Sequence, residues 1–321
     1  MEKIDAVNLV NSKEFVREPV DKVVNEILNS PYSKTILTGG KGVGKSTVLC
    51  GLEKRGLGSN EQTIYNRPDV TIKPSKEPDE IYNEKVFDYF TELRFTNSIL
   101  FYIKCNYPIV FNKYFKNDMD LLHSLINDFC YQINNMYYTN NSIEYKYGIK
   151  ELSFDIINRF KQIMKLNRLN IAIDGFDRIN GSSEYIQKAY EKYFDMFDRV
   201  ILTADDTDLD NQRLFEKGYE IKNISYGTDN DVLREIIRLR ESLFDSDIIY
   251  ELLTNDRLLD KLAVFNGNID LSLETIKYAS ELLSWYGQDS NIEEILDEAI
   301  KEKINESQGF ERVISKNKFY L

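Results

Sequence analysis

A single histidine, His123, and three cysteines, Cys50, Cys105 and Cys130, are spread through 321 residues. Three scattered thiols exclude a disulfide scaffold, and one imidazole beside them excludes a Cys/His zinc site. One histidine also argues against a His-based catalytic triad. No apolar run approaches the ~20 residues of a membrane span; Ile99-Leu100-Phe101-Tyr102-Ile103 ends at Lys104. The N-terminal Met-Glu-Lys-Ile-Asp-Ala lacks the basic and apolar regions of a secretion signal, so a cytoplasmic location is expected, without a membrane partner. Basic residues are in deficit, 41 Lys and Arg against 53 Asp and Glu, for a net charge of −12. That balance disfavours a surface given over to nucleic acid and leaves room only for a local basic patch.

What is present describes a globular protein: 42% hydrophobic and 29% charged residues. At ~150 residues per domain, the length suggests two domains. All six prolines fall at or before Pro108, and beyond it apolar residues recur at helical spacing. Leu122, Ile126, Phe129, Ile133 and Met136 form one face of a helix over 118–137. Ile186, Ala189, Tyr193 and Phe197 do the same over 183–198. Thr35–Thr38, Leu169–Asp174 and Val200–Ala204 are short apolar runs with polar borders, as buried parallel strands have. Tyr219–Ile224 is a weaker fourth. Strands alternating with helices imply an α/β domain.

After about Thr228 the strands stop. Segments 229–242, 246–254, 257–265, 271–286 and 292–305 read as consecutive amphipathic helices, with Trp285, on the apolar side of the fourth, expected in the core. The expected organisation is therefore a core over 1–227, a helical domain over 228–307 and a C-terminal tail over 308–321. The core carries an insertion around 58–115, including an extended polar stretch, Asn60–Glu80. It serves either to bind a partner or to add packing against the sheet.

One segment carries chemistry. Gly39-Gly40-Lys41-Gly42-Val43-Gly44-Lys45-Ser46 matches G-x-x-x-x-G-K-[ST] at every fixed position, between a strand-like run and a helix-forming stretch. Chance alone gives such a match in roughly one chain in a hundred at average residue usage. Glycines let the backbone curl until successive N–H groups face phosphate oxygens, and the helix that opens at Ser46 and Thr47 adds its positive end. In this pattern Lys45 reaches the β and γ phosphates of ATP, and the Ser46 hydroxyl ligates Mg²⁺. A carboxylate on a neighbouring strand is needed to hold the metal. Ile171-Ala172-Ile173-Asp174 supplies it, and Asp177 follows three residues later, placed to orient or deprotonate water.

This pairing resembles the P-loop ATPases of the AAA+ and STAND type, the latter including NACHT and NB-ARC proteins. Asp174-Gly175-Phe176-Asp177 matches the NACHT pattern of a small residue after the magnesium aspartate and a second acid soon after. Phe15-Val16-Arg17-Glu18 resembles the box beside the adenine in STAND and origin-recognition ATPases, which places Val16 and Arg17 at the nucleotide. Arg199–Thr203 resembles the sensor 1 strand, with Thr203 at its tip, and Phe265-Asn266-Gly267-Asn268 resembles the glycine turn of the AAA+ lid. The resemblance implies a three-layer parallel-sheet core followed by an all-helical lid, with ATP and Mg²⁺ bound at the loop. It also implies a switch ATPase working with a separately encoded effector, such as bacterial regulatory and defence systems use, and with scope for self-association.

Two arginines of those families are missing. Ala204-Asp205-Asp206 follows the sensor 1 threonine, and Asp270 stands after the glycine turn. Arg178, Arg199, Arg234 and Arg257 are the substitutes in this chain, and a neighbouring subunit is another source. Two other classes stay open: a DNA-handling AAA+ ATPase, for which Lys150, Arg159, Lys161, Lys165 and Arg168 form a candidate backbone patch, and a nucleotide-binding scaffold without hydrolysis. No N-K-x-D motif points to GTP.

Overall fold

The computed structural model describes residues 17–40, 42–66, 84–135, 148–175, 191, 193–204, 217–226, 229–265, 267–287 and 290–317. These fall into two compact units. One comprises 26–38 and 49–222; the other gathers 1–25, 39–48 and 223–321.

The first unit is α/β, as expected. Strands β1 (Lys34–Thr38), β2 (Glu61–Asn66), β3 (Arg168–Ile173), β4 (Arg199–Thr203) and β5 (Tyr219–Asn223) form a sheet in the order β2-β3-β4-β1-β5. The β2–β3, β3–β4 and β4–β1 pairings are all parallel. Ile36, Leu37, Ile171, Ala172, Ile173, Val200, Ile201 and Leu202 are buried throughout, which is why these three strands read as continuous apolar runs.

Two expectations change here. The strand ending at Asp174 does not neighbour β1, because β4 lies between them. β4 pairs with both: Ile173 faces Leu202, and Leu37 faces Thr203, so the carboxyl ends of β1, β3 and β4 finish within two residues of one another. The stretch Asn60–Glu80 opens with a sheet strand, β2, in full register with β3 from Glu61–Arg168 to Asn66–Ile173. Its polar side chains hid it. Gln62, Thr63 and Asn66 are buried, and distant groups satisfy the first two: Tyr102 Oη donates to Gln62 Oε1 at 3.4 Å and Asn170 Nδ2 to Thr63 Oγ1 at 3.4 Å. Residues 67–83 lie outside the described residues.

Among the described residues, helices α1 (Arg17–Asn29), α2 (Lys45–Gly56), α3 (Glu84–Asn106), α4 (Pro108–Tyr114), α5 (Lys116–Asn135) and α6 (Ile149–Met164) accompany the sheet, with α1 and α2 continuing into the second unit. Leu122 and Phe129 of α5 are buried as the periodicity predicts. Phe160 of α6 sits among the rings of Tyr102, Tyr107 and Phe115, with centroids 5.6–6.4 Å away. Burial of the Tyr102 hydroxyl raises its pKa well above the ordinary tyrosine range. Most of the helix expected over 183–198 lies outside the described residues.

The second unit is helical where the chain passes beyond β5. Helices α7 (Asn230–Arg238), α8 (Ser246–Thr254), α9 (Asp256–Lys261), α10 (Ile269–Tyr286) and α11 (Ile292–Asn317) coincide with the five expected segments, and α11 runs past the expected limit at 307. Their starts are locally encoded. Asp229, Asp245, Asn255 and Asn268 each accept backbone N–H groups of the following first turn. Leu233, Ile237, Leu252, Leu259, Ile276 and Leu296 form the apolar centre. Trp285 does not join it: its side chain is 73% exposed, whereas Leu282 and Leu283 are buried. The apolar periodicity of α10 continues one turn past its packing partners.

Candidate functional site

The glycine loop between β1 and α2 is built in the second unit. Gly39, Gly42 and Gly44 have φ of +136°, +80° and +103°, the region that favours glycine. Each is also walled in. A Cβ on Gly39 would stand 2.5 Å from the Ile224 carbonyl oxygen and 2.9 Å from Val43 Cγ2. On Gly42 it would collide with the Asn268 carboxamide, and on Gly44 it would meet the Tyr226 ring at 3.0 Å. The Tyr226 hydroxyl is itself anchored, donating to the Pro19 carbonyl at 3.2 Å.

Segments far along the chain therefore hold the loop. Asn268 caps α10 through the Leu271 amide at 3.1 Å, and the next amide, of Ile269, donates to the Gly42 carbonyl at 3.2 Å. Asn268→Ala should cost about 1 kcal/mol through the lost cap, read as a lower midpoint in urea unfolding. Nothing in the sequence around the loop signals these contacts.

Lys45 is the first residue of α2, with only 8% of its surface exposed. Its ammonium donates to the carbonyls of Gly39 and Gly40, the latter at 3.0 Å. Val43 is buried, whereas Gly40 is exposed and Ser46 and Thr47 are half-buried. Lys41 and Val16 lie outside the described residues, and Arg17 opens the backbone of α1.

In the first unit, Asp174 follows β3 directly, half-buried, with both oxygens engaged. Tyr65 donates its hydroxyl to Oδ2 at 2.8 Å, and Thr203 donates to Oδ1 at 2.6 Å. Thr203 also accepts the Gly175 N–H at 2.7 Å, so its hydroxyl is both donor and acceptor. Gly175 has φ +62°, which turns the chain at once after the acid. Asp177 lies outside the described residues. Tyr65, at the end of a strand the sequence conceals, was not among the expected site residues.

The candidate arginines have other occupations. Arg199 donates to the carbonyls of Tyr32 and Ser30 at 2.7 and 2.8 Å. Arg234 pairs with Asp231 and Asp256, and Arg257 with Glu293 at 3.0 Å. Arg178 is outside the described residues. Two of the basic residues of α6 are similarly paired. Arg159 holds Asp118 and Asp155 at 2.9 and 2.7 Å, and Lys161 holds Asp198 at 2.9 Å. Burial pushes the Asp198 pKa up, but the Leu169 amide, Lys161 and Arg168 outweigh it and leave the carboxyl below its usual range. His123 is exposed on α5.

No family model and no curated protein matches the chain. Solved structures with a similar chain arrangement include the Aeropyrum pernix Orc1 protein in complex with DNA, at 13% identity and a TM-score of 0.45 over 89% of this chain. This chain covers 64% of that one. Domain III of the Thermotoga maritima replication initiation protein DnaA is similar at 12% identity and a TM-score of 0.39, over 91% and 95% of the two chains. AMPPCP-bound DnaA from Aquifex aeolicus is similar at 13% identity and a TM-score of 0.35, over 98% and 96%. Among the described residues, no helix is long and apolar enough to cross a membrane.

Proposed function

We propose that this chain is an Mg²⁺-dependent, ATP-binding and ATP-hydrolysing P-loop protein of the AAA+ type that works as a nucleotide-controlled switch. The observation that carries the reading is the loop itself: three glycines at positive φ, a largely buried Lys45 ammonium turned onto the loop, and a helix starting beneath it. That combination presents amide dipoles and one cation to a polyphosphate.

Roles follow from donor chemistry. Gly39 to Thr47, Lys41 included, cradle the phosphates, and Lys45 exchanges its carbonyl partners for phosphate oxygens. Val16 and Arg17 border the base. Ser46 and Asp174 suit Mg²⁺, which keeps several waters, shares phosphate oxygens and needs only one or two protein ligands. When bound, the metal neutralises charge developing on the transferred phosphoryl group. The water oxygen bonds to the γ-phosphorus as the bond from that phosphorus to the β–γ bridging oxygen breaks; Asp177 is assigned the proton of the water, and ADP leaves with the electron pair on its β-phosphate oxygen. Thr203 keeps Asp174 in place through its hydrogen bond and, as the tip of the sensor 1-like strand, watches the γ-phosphate.

Arg199, Arg234 and Arg257 are bonded elsewhere, and the arginine that completes catalysis is assigned to a neighbouring subunit or a protein effector, with Arg178, outside the described residues, as the alternative within the chain. Arginines supplied in trans accelerate hydrolysis by ~10³–10⁵. The isolated chain should then release phosphate slowly at low concentration, with a specific rate that climbs as protein concentration rises. A fast rate independent of concentration would contradict this assignment. The acid pairs of Arg159 and Lys161 favour the switch over a DNA-handling role, for which tight, salt-sensitive duplex binding stimulated by ATP would be the sign. A role in bacterial defence is one setting for such a switch.

A further inference from the structure

We propose that Tyr65 is a positioning residue for the metal-binding carboxylate, fixing Asp174 before any nucleotide arrives. This rests on the reading that Asp174 serves Mg²⁺. Three adjacent strands each contribute one group: the Tyr65 hydroxyl from β2, the carboxylate after β3, and the Thr203 hydroxyl from β4. The two hydroxyls take different oxygens, at 2.8 and 2.6 Å, so the carboxylate is held from both sides and cannot rotate without breaking a bond.

Each carboxylate oxygen offers two lone-pair sites. Two hydroxyl donors occupy one site apiece and leave one on each oxygen to face a metal ion or a water in its shell. Tyr65 is suited to this because its side chain is itself buried. It is 8% exposed, and the parallel register sets Tyr65 opposite Ala172 and Asn66 opposite Ile173, just before the acid.

Two effects oppose each other when the Tyr65 hydroxyl is removed. A donor drains negative charge from the carboxylate, so its loss strengthens the acid as a ligand. It also restrains the acid, so its loss frees a rotor that must be ordered again on binding. Partners that orient metal ligands typically contribute 10–100-fold in metal affinity, so orientation outweighs charge. With Thr203 still in place, the lower end of that range applies.

The test measures coupling between metal and nucleotide in the full chain. A fluorescent ATP analogue is titrated with and without Mg²⁺, and the ratio of the two Kd values is the coupling factor. Tyr65→Phe keeps the ring and removes only the hydroxyl. It should lower the coupling factor about 10-fold while the metal-free Kd stays within about twofold, a pattern that a general loss of packing would not produce. Should Tyr65→Phe not yield folded protein, Tyr65→Met, which also lacks the hydroxyl, is measured instead. Asp174→Asn is the reference and should abolish coupling. If Asp174→Asn abolishes coupling and Tyr65→Phe behaves as wild type, the role of Tyr65 is refuted and the metal reading stands. Loss of metal-free binding in Tyr65→Phe also refutes it, in favour of a purely structural part. If Asp174→Asn retains full coupling, the metal reading itself fails.

Discussion

Replacing Lys45 with alanine should weaken ATP binding by about 10–100-fold, and should lower hydrolysis by a further ~10²–10³. The first figure follows from a charge-assisted hydrogen bond of about 1.5–3 kcal/mol, at 1.4 kcal/mol per factor of ten. The second is the usual loss when one group that stabilises developing charge is removed from a water-excluded site. The surroundings of Lys45 add to the effect. Its ammonium sits on the carbonyl oxygens of Gly39 and Gly40, two acceptors that are left facing a polyanion once the amine is gone. Lys45→Met keeps the apolar stem and isolates the charge. Equal losses in the two variants would assign the effect to the ammonium, and binding at wild-type affinity in both would remove Lys45 from the site.

Gly39→Ala should be among the most destabilising single changes in the protein. At φ +136° an L side chain adopts a sparsely populated backbone region, which costs about 1–3 kcal/mol. The added methyl would also stand 2.5 Å from the Ile224 carbonyl, a backbone atom that cannot swing away as a side-chain end can. Overpacking of this kind costs a further ~1–3 kcal/mol. The sum, about 2–6 kcal/mol, corresponds to a fall in Tm of roughly 4–24 °C at the 2–4 °C per kcal/mol typical of domains this large. Scanning calorimetry reads it directly. At Gly42, by contrast, the obstructing atoms belong to the Asn268 side chain. Gly42→Ala should therefore be partly rescued by Asn268→Gly, whereas no side-chain change can rescue Gly39→Ala.

The difference between these two glycines also marks what a sequence can disclose. The loop was legible because its requirement is local: fixed spacing, and a strand and a helix on either side. Its walls were not. Ile224, Tyr226 and Asn268 come from remote segments, and only the folded chain sets them against Gly39, Gly44 and Gly42. The same contrast runs through the sheet. β1, β3 and β4 announce themselves through isoleucine, leucine and valine buried on both faces. β2 carries Gln62, Thr63 and Asn66 into the interior, and what makes that tolerable is Tyr102 and Asn170 from other elements. Missing β2 meant missing Tyr65, and with it half of the clamp on Asp174. Helical periodicity identified the five helices after β5 well, yet it placed Trp285 inside, because a period says which face is apolar and not where its partner ends.

The acidic balance of the chain takes on a narrower meaning in this light. A net charge of −12 does not oppose binding of a polyanion when attraction is delivered by oriented amides and one lysine over a short loop. In keeping with that balance, Arg159, Lys161 and Arg168 stand beside Asp118, Asp198 and Glu61, acids that offset part of the local basic charge.

The central claim is that the loop over Gly39–Thr47 is an ATP site, and calorimetric titration of Mg-ATP into the full chain tests it most directly. The expected result is saturable binding of one nucleotide per chain, weakened at least 10-fold in Lys45→Ala and weakened again when EDTA removes the metal. Absence of binding at millimolar ATP, or binding that is indifferent to Lys45, would contradict it.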